Sequence, residues 1–196
     1  MARRTDARES LLAAGVELFL EGGYDFTGTN TILERASAPR GSFYHHFGDK
    51  LGFALATAEH YYERHLPLLD RILADEACTP LQRLRRYFEV MRHSYEQEGW
   101  SKGCLLGMLS QELADREPEA REALAALFGR WRHRLAAGLR EAQAHGELGK
   151  DEDCDELASA LLEGWEGALM AMKVAKSGAP LDRFMQVTLD RLLTRG

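Results

Sequence analysis

The stretch GSFYHHFGDK, residues 41–50, decides how this chain is interpreted. Phe43 and Phe47 lie four residues apart, so in a helix both rings occupy one face and anchor it to a core. The side chains before and between them end in hydroxyl or imidazole groups and point outward or sideways. Gly48 ends this helix and Asp49 caps the next one. The stretch therefore predicts a short helix that presents hydrogen-bonding groups to a partner.

The sequence before this stretch predicts two helices that would hold it in place. The first spans about residues 5–21 and is ended by Gly22-Gly23. The second begins near Thr29, whose hydroxyl is expected to cap it, and ends by Ser37. A tight turn at Ser37-Ala38 then leads into the third helix. Three short helices in this order are typical of a helix-turn-helix, in which the last helix enters a DNA groove.

Hydrophobic residues recur with a helical period along the rest of the chain, and no stretch alternates as a strand would. Helix starts are indicated at Thr79-Pro80, where Gln82 completes a capping box, and at Pro118, Cys154 and Pro180. A proline at position 67 predicts a kink in the fourth helix. The sequence thus predicts an all-α fold of about nine helices, with a head at residues 1–48 and a larger helical domain at 49–196.

Composition limits the class of protein. The 196 residues are 45% hydrophobic and carry a net charge of −6, which favours a globular domain over a disordered chain. No apolar stretch approaches the roughly 20 residues that cross a bilayer, and no signal peptide is recognisable, so we expect a soluble cytoplasmic protein without membrane partners. Three cysteines without a C-x-x-C pair argue against disulfides and structural zinc. We predict no cofactor and no metal.

Enzymatic activity has one superficial signal. Residues 99–103, GWSKG, match the G-x-S-x-G pattern of hydrolase nucleophiles. That pattern requires a strand-to-helix turn in a large mixed sheet, and no strand precedes it here. The seven histidines are scattered and form no H-E-x-x-H motif. We therefore predict no catalytic residue.

Residues 8–55 resemble the DNA-binding module of TetR-type transcriptional regulators. The resemblance rests on Leu18-Phe19, Gly23-Tyr24, Thr27 and Thr29, residues 41–47, and Lys50. It departs from the family at residues 36–38, where Ala-Ser-Ala replaces the usual Ala-Gly-Val. The resemblance implies a homodimer whose two third helices enter successive major grooves of a near-palindromic DNA operator. A small-molecule inducer would release it, most often relieving repression.

The resemblance also assigns roles to residues of the head. Arg40 would read bases, and its planar fork suits guanine. Thr29 and Asn30 would contact backbone or base at the start of the second helix. The residues expected to contact phosphates are Ser42, Tyr44, His46 and Lys50. His45 could contact either a phosphate or a base.

The larger domain would bind the inducer and form the dimer. The resemblance implies that the eighth and ninth helices pack against their copies as a four-helix bundle. The residues expected at this dimer interface are Gly164, Trp165, Gly167, Ala168, Ala171 and Phe184. Aromatic and methionine side chains suited to an apolar ligand, or to simple core packing, are Tyr62, Phe88, Met91, Tyr95, Trp100, Met108, Phe128 and Trp131. Placement of the dimer residues in the core of one protomer remains open.

Cys104 joins the ligand-binding candidates for a separate reason. Residues 103–108, GCLLGM, together with 165–169 and 173–177, resemble a TetR-type subgroup that includes the electrophile-sensing N-ethylmaleimide reductase repressor. A cysteine in the first turn of a helix has its thiolate stabilised by unpaired amides, and Lys102 is near in sequence. An inert, buried cysteine is the alternative.

A second function stays open beside operator binding. The first 50 residues contain six Lys or Arg residues against seven Asp or Glu residues, which is weak support for attraction to DNA. The alternative is a helical ligand-binding or scaffolding dimer that does not bind an operator. Direct measurement of DNA binding separates the two.

Overall fold

The computed structural model describes residues 4–193, and the side chains of residues 7–191. The described residues form nine helices and no strand. The first eight are α1 (Arg4–Phe26), α2 (Thr29–Ala36), α3 (Arg40–Phe47), α4 (Lys50–Leu73), α5 (Pro80–Gln97), α6 (Leu105–Leu113), α7 (Pro118–Ala144) and α8 (Cys154–Ala175). The ninth, α9, is α-helical over Ala179–Arg183, π-helical over Phe184–Leu189 and α-helical again over Asp190–Leu193. The predicted all-α fold is confirmed.

Local sequence explains most helix ends. Thr79 and Gln82 form the predicted capping box of α5, with the Thr79 N–H donating to Gln82 Oε1 at 3.0 Å. The Asp49 carboxylate accepts the Gly52 N–H at 2.7 Å at the start of α4. The prediction that Thr29 caps α2 was wrong, because Gly28 occupies the N-cap and no side chain caps this helix. The amides of its first turn therefore stay open to a ligand.

The chain forms two compact units. The first contains the residues up to His65 together with Cys104–Leu127, and the second contains Leu66–Gly103 together with the residues from Phe128 onward. The predicted functional boundary after residue 48 is a different division and stays a prediction.

Four phenylalanine rings form the core of the first unit. Phe43 of α3 is fully buried, and its ring lies 4.9 Å from that of Phe53 and 5.6 Å from that of Phe47. Phe53 of α4 also lies 5.8 Å from Phe19 of α1. The spacing of Phe43 and Phe47 in the sequence therefore has the predicted consequence: both rings join α3 to α4, and Phe19 adds α1 to the same cluster.

An aromatic cluster also forms the core of the second unit. The fully buried Trp165 of α8 has its ring 5.1 Å from Phe88 of α5 and 5.4 Å from Phe184 of α9. At the edge of this unit, Arg83 is buried and donates to three oxygens: Cys78 O, Leu73 O and Glu141 Oε1. The guanidinium is thereby satisfied, as a buried charge must be.

Two absences concern the described residues alone. No described helix combines the length and apolar content that a membrane crossing requires. Within residues 4–193, no three His, Cys, Asp or Glu side chains are grouped so that they could hold a metal ion.

Gly15 permits the close approach of α1 to α4 and gives a stability test. A Cβ atom at this position would lie 2.5 Å from Phe53 Cζ and 2.8 Å from Thr57 Oγ1. Gly15→Ala is expected to lower the free energy of unfolding by about 1–3 kcal/mol in urea denaturation, since a packed core resists added atoms. Gly41→Ala, in α3 of the same unit, is the matched control because its Cβ would meet nothing within 4 Å. Equal stability of Gly15→Ala and the wild type would contradict this close packing.

Candidate nucleic-acid interface

The turn between α2 and α3 sets the direction of the third helix. Ser37 adopts the left-handed conformation, with φ 50° and ψ 38°. Its N–H donates to Glu34 O at 3.1 Å, and the Ala38 N–H donates to Leu33 O at 3.0 Å, which satisfies two of the last four carbonyls of α2. Serine thus occupies the position where the family usually has glycine, and the turn keeps its form.

The outer face of α3 is polar and carries positive charge. Arg40, Tyr44 and His45 are exposed, and the Arg40 guanidinium lies 6.0 Å from the centre of the Tyr44 ring. Ser42 and His46 are half-buried at the margins of this face. No acidic residue lies in the first turn of α2 or of α3. These side chains offer hydrogen-bond donors of the kinds that contact bases and phosphates.

The start of α2 adds a second part of the same surface. Asn30 is exposed and Thr29 is half-buried, next to the uncapped amides that follow Gly28. An uncapped helix N-terminus attracts phosphate, because its free N–H groups carry partial positive charge.

Lys50 is engaged within the protein. Its ammonium lies 4.3 Å from the centre of the Tyr24 ring and 3.5 Å from Asp25 O. Burial lowers the pKa of Lys50, although the carboxylates of Asp25 and Glu112 act in the opposite direction. The predicted phosphate contact of Lys50 would compete with these interactions, and it stays a prediction.

Three of the seven acidic residues in positions 1–50 are paired with arginines. Arg35 of α2 lies 3.1 Å from Glu17 and 3.6 Å from Glu21 of α1. Asp25 accepts a hydrogen bond from Arg116, which lowers the pKa of this carboxyl. Pairing reduces the repulsion that the excess of acids in residues 1–50 would exert on DNA.

A carboxylate of α6 fixes the end of α1. Glu112 accepts the Tyr24 N–H at 3.0 Å through Oε1 and the Asp25 N–H at 2.9 Å through Oε2. Both amides are available because Gly23, with φ 77° and ψ 178°, interrupts the helix. Sequence reasoning missed Glu112, since it lies 88 residues from Tyr24 and no local motif connects them.

The predicted ligand-binding residues are divided between the two units. Tyr62, Cys104 and Met108 belong to the first, and the other six belong to the second. Cys104 is only 4% exposed and occupies the N-cap of α6. In the second unit, the indole N–H groups of Trp131 and Trp165 are buried and have no hydrogen-bond acceptor among the described residues.

Trp100 has an unusual backbone for a large residue. Its φ is 59°, in the left-handed region, directly after Gly99 with φ 65°. The Arg92 guanidinium lies 5.3 Å from the centre of its indole ring, and a Cβ atom on Gly178 would lie 2.8 Å from the same indole. Trp100 therefore packs between Arg92 and the start of α9, a contact that accounts for its partial burial.

The predicted dimer residues fall into two groups. Trp165 and Phe184 lie inside the protomer, 0% and 3% exposed, and a Cβ on Gly164 would lie 3.1 Å from Phe184. These three residues join α8 to α9 of one chain; Trp165 and Phe184 are buried within it, and Gly164 is half-buried. Gly167 and Ala171 are exposed and Ala168 is half-buried. Sequence reasoning missed Met170 and Val174 on the same helix, which are 58% and 85% exposed.

Together, the three-helix head with its polar outer face and the helical remainder define a helix-turn-helix transcriptional regulator. Residues 11–57 match the family of bacterial regulatory proteins described as the tetR family. Residues 80–188 match the C-terminal domain described as tetracyclin repressor-like. The chain belongs to the TetR family of transcriptional regulators, as the sequence resemblance indicated, and not to a family of enzymes.

Several relatives match along nearly the whole chain. The transcriptional regulator AcuR of Cereibacter sphaeroides is 39% identical, over 96% of this chain and 86% of its own length. The repressor DhaR of a Mycobacterium species is 31% identical, over 97% of this chain and 94% of its own. The repressor NemR of Escherichia coli is 30% identical, over 90% of this chain and 89% of its own.

Solved structures agree with this assignment. A crystal structure of a TetR regulatory protein from Rhodobacter sphaeroides, 40% identical, superposes with a TM-score of 0.88 and covers 95% of this chain and 98% of its own. The reduced form of Escherichia coli NemR, 28% identical, gives a TM-score of 0.85 and covers 95% of each chain.

Proposed function

We propose that this regulator binds a near-palindromic DNA operator as a homodimer and that a small-molecule or electrophilic inducer releases it. Residues 1–48 read the DNA, and residues 49–196 bind the inducer and form the dimer. The outer face of α3 carries this proposal, because it is exposed, has no acid in its first turn and is fixed to the core by Phe43. Repression is the sign favoured by the names of DhaR and NemR.

Base reading is assigned to Arg40, with Tyr44 beside it. The two side chains lie one helical turn apart on α3, and the guanidinium lies 6.0 Å from the centre of the aromatic ring, within range of a cation–π interaction. A bidentate contact of arginine with guanine discriminates by about 1–3 kcal/mol, and a dimer makes it twice. Ser42, His45 and His46 border this pair and supply the contacts to phosphate. Thr29 and Asn30 act with the open amides of α2 on the flanking phosphate.

Operator binding is tested first by selecting bound duplexes from a random pool with the purified protein. With the selected duplex, Arg40→Ala and Tyr44→Ala are each expected to weaken binding on the order of 100-fold in a titration and so to abolish discrimination against random DNA. Arg71→Ala is the matched control, since Arg71 is another exposed arginine and lies on α4 in the second unit. If the pool yields no preferred sequence, the alternative of a ligand-binding or scaffolding dimer replaces this proposal.

The dimer interface is assigned to the exposed stripe of α8 formed by Gly167, Met170, Ala171 and Val174. These residues recur at three and four positions, so they share one face of the helix. Two small residues allow close approach of a second helix, and two large apolar side chains supply area to bury. Exposed apolar stripes of this kind are typical of protein interfaces. Val187 of α9, 44% exposed, is a candidate to extend the same face.

Val174→Glu tests this interface. A charge buried without a partner is strongly unfavourable, so the variant is expected to dissociate at least about tenfold more readily than the wild type in sedimentation equilibrium. Ala137→Glu, an exposed alanine on α7, is the matched control and is expected to stay dimeric. A Val174→Glu protein that dimerises as tightly as the control would refute the assignment.

The inducer site is assigned to the aromatic interior of the larger domain. The buried indole N–H groups of Trp131 and Trp165 find no acceptor among the described residues, and a ligand with a carbonyl or carboxylate oxygen would satisfy one of them. The rings of Phe88 and Tyr95 lie 5.1 and 6.3 Å from that of Trp165, and Met91 is buried on the same helix as these two residues. For an electrophilic inducer the reacting group is the Cys104 thiolate at the start of α6, where unpaired amides stabilise negative charge.

The electrophile mechanism predicts release of DNA by a small quinone or enal. The Cys104 sulfur would add to the β-carbon of the enal, whose α-carbon then takes up a proton. Cys104→Ser is expected to resist release, whereas Cys78→Ser and Cys154→Ser respond as the wild type does. Cys154 is the matched control because it is about as buried as Cys104 and also stands at the start of a helix; burial raises the pKa of its thiol. Fluorescence anisotropy of a labelled operator measures release, and equal release from all four proteins would exclude a role for Cys104.

A further inference from the structure

Phe26 is a large apolar side chain that lies almost entirely in solvent. It is 92% exposed, more than Val174 at 85% or Tyr44 at 45%. An exposed apolar residue in a mobile segment would need no explanation. Phe26, however, belongs to a segment whose neighbouring residues are held by hydrogen bonds.

Hydrogen bonds fix the backbone around Phe26. The two residues before it donate their N–H groups to the Glu112 carboxylate, at 3.0 and 2.9 Å. The residue after it, Thr27, is buried and donates its hydroxyl proton to Gly23 O at 2.6 Å, while Leu18 O lies 3.3 Å from the same Oγ1 atom. The Asp25 carboxylate pairs with Arg116, and the Asp25 carbonyl accepts from Lys50. The exposed ring is therefore attached to a fixed backbone. Its binding to a partner costs little further conformational entropy.

The position of Phe26 places it beside the open start of α2. Thr27 is buried, whereas its neighbours Phe26 and Gly28 are exposed. Gly28 is the N-cap of α2, and two peptide units put its Cα within about 7.6 Å of the Phe26 Cα. The surface that α2 offers to a phosphate thus continues directly onto the Phe26 ring.

We propose that Phe26 packs against the deoxyribose edge of the DNA backbone, next to the phosphate held by the first turn of α2. The sugar presents C–H groups between charged phosphates, and a phenyl ring buries them without competing for hydrogen bonds. Contacts to phosphate and sugar set the position of the protein on the duplex. Phe26 is accordingly a positioning residue that fixes how α2, and with it α3, sits on the operator. This inference rests on the proposed operator binding.

Phe26→Ala is expected to bind the selected operator about tenfold more weakly, because two rings per dimer lose apolar burial. The slope of log Kd against log salt concentration should not change, since the residue carries no charge. Phe26→Leu, which keeps an apolar side chain, should recover most of the affinity. Thermal unfolding of both variants should match the wild type, because the side chain is 92% exposed.

Hydroxyl-radical footprinting supplies a readout that a general loss of structure would not reproduce. Wild-type protein should protect the sugars beside the α2 phosphate, and Phe26→Ala should lose protection there while keeping it across the major groove that faces α3.

Unchanged affinity or an unchanged footprint overturns the inference and leaves the proposed function intact. A changed salt slope also overturns it, because phosphate contacts would then be disturbed instead. If the wild type selects no duplex, both the proposed function and this inference fail. Altered self-association of Phe26→Ala without DNA would assign the ring to a protein contact.

Discussion

The burial of the Phe43 ring against Phe53, 4.9 Å apart, is the constraint on which the recognition surface depends. α3 has only eight residues, too few to be stable as an isolated helix, so its position comes from packing. Once Phe43 is fixed inward, the helical repeat leaves no freedom in where Arg40, Tyr44 and His45 point. Phe19 of α1 packs against Phe53 as well, so α1, α3 and α4 share one hydrophobic core. A surface that must match a DNA groove to within an ångström requires such a rigid base.

Local signals in the sequence predicted the elements of the head and most helix ends. The Phe43 and Phe47 spacing predicted the inward face of α3, and the capping box at Thr79 predicted the start of α5. Such signals involve residues no more than four apart, where backbone geometry alone brings side chains together. The cap of α2 was mispredicted because Thr29 and Gly28 are both plausible N-cap residues, and only the chain path decides between them. The π-helical segment Phe184–Leu189 has no comparable local signal.

Contacts between distant elements were beyond such reasoning. Trp165 and Phe184 were expected at the dimer interface because the family resemblance places the eighth and ninth helices there. An apolar stripe in the sequence shows that a surface is buried, without showing what covers it. In the structure, α8 has two apolar stripes: Trp165 packs on Phe184 and Phe88, while Met170 and Val174 stay exposed. Net charge was equally uninformative about the head, since Glu17, Glu21 and Asp25 are paired with Arg35 and Arg116. What matters for DNA is the charge left unpaired on the outer face.

The helix α6 connects two features that the sequence presents as unrelated. Cys104 stands at its N-cap and Glu112 lies eight residues further on, a distance of about 12 Å along the axis. Glu112 holds the backbone of Tyr24 and Asp25, the same segment that supports Phe26 and contacts Lys50. If a helix this short moves as a rigid unit, a displacement at its start would change the hydrogen bonds at its end. Hydrogen bonds from backbone N–H groups to a charged acceptor contribute about 1.5–3 kcal/mol each. This energy is comparable to the coupling free energies typical of allosteric proteins. Coupling free energy between two sites is reciprocal. DNA that holds the Tyr24–Phe26 segment in place would therefore resist displacement of α6.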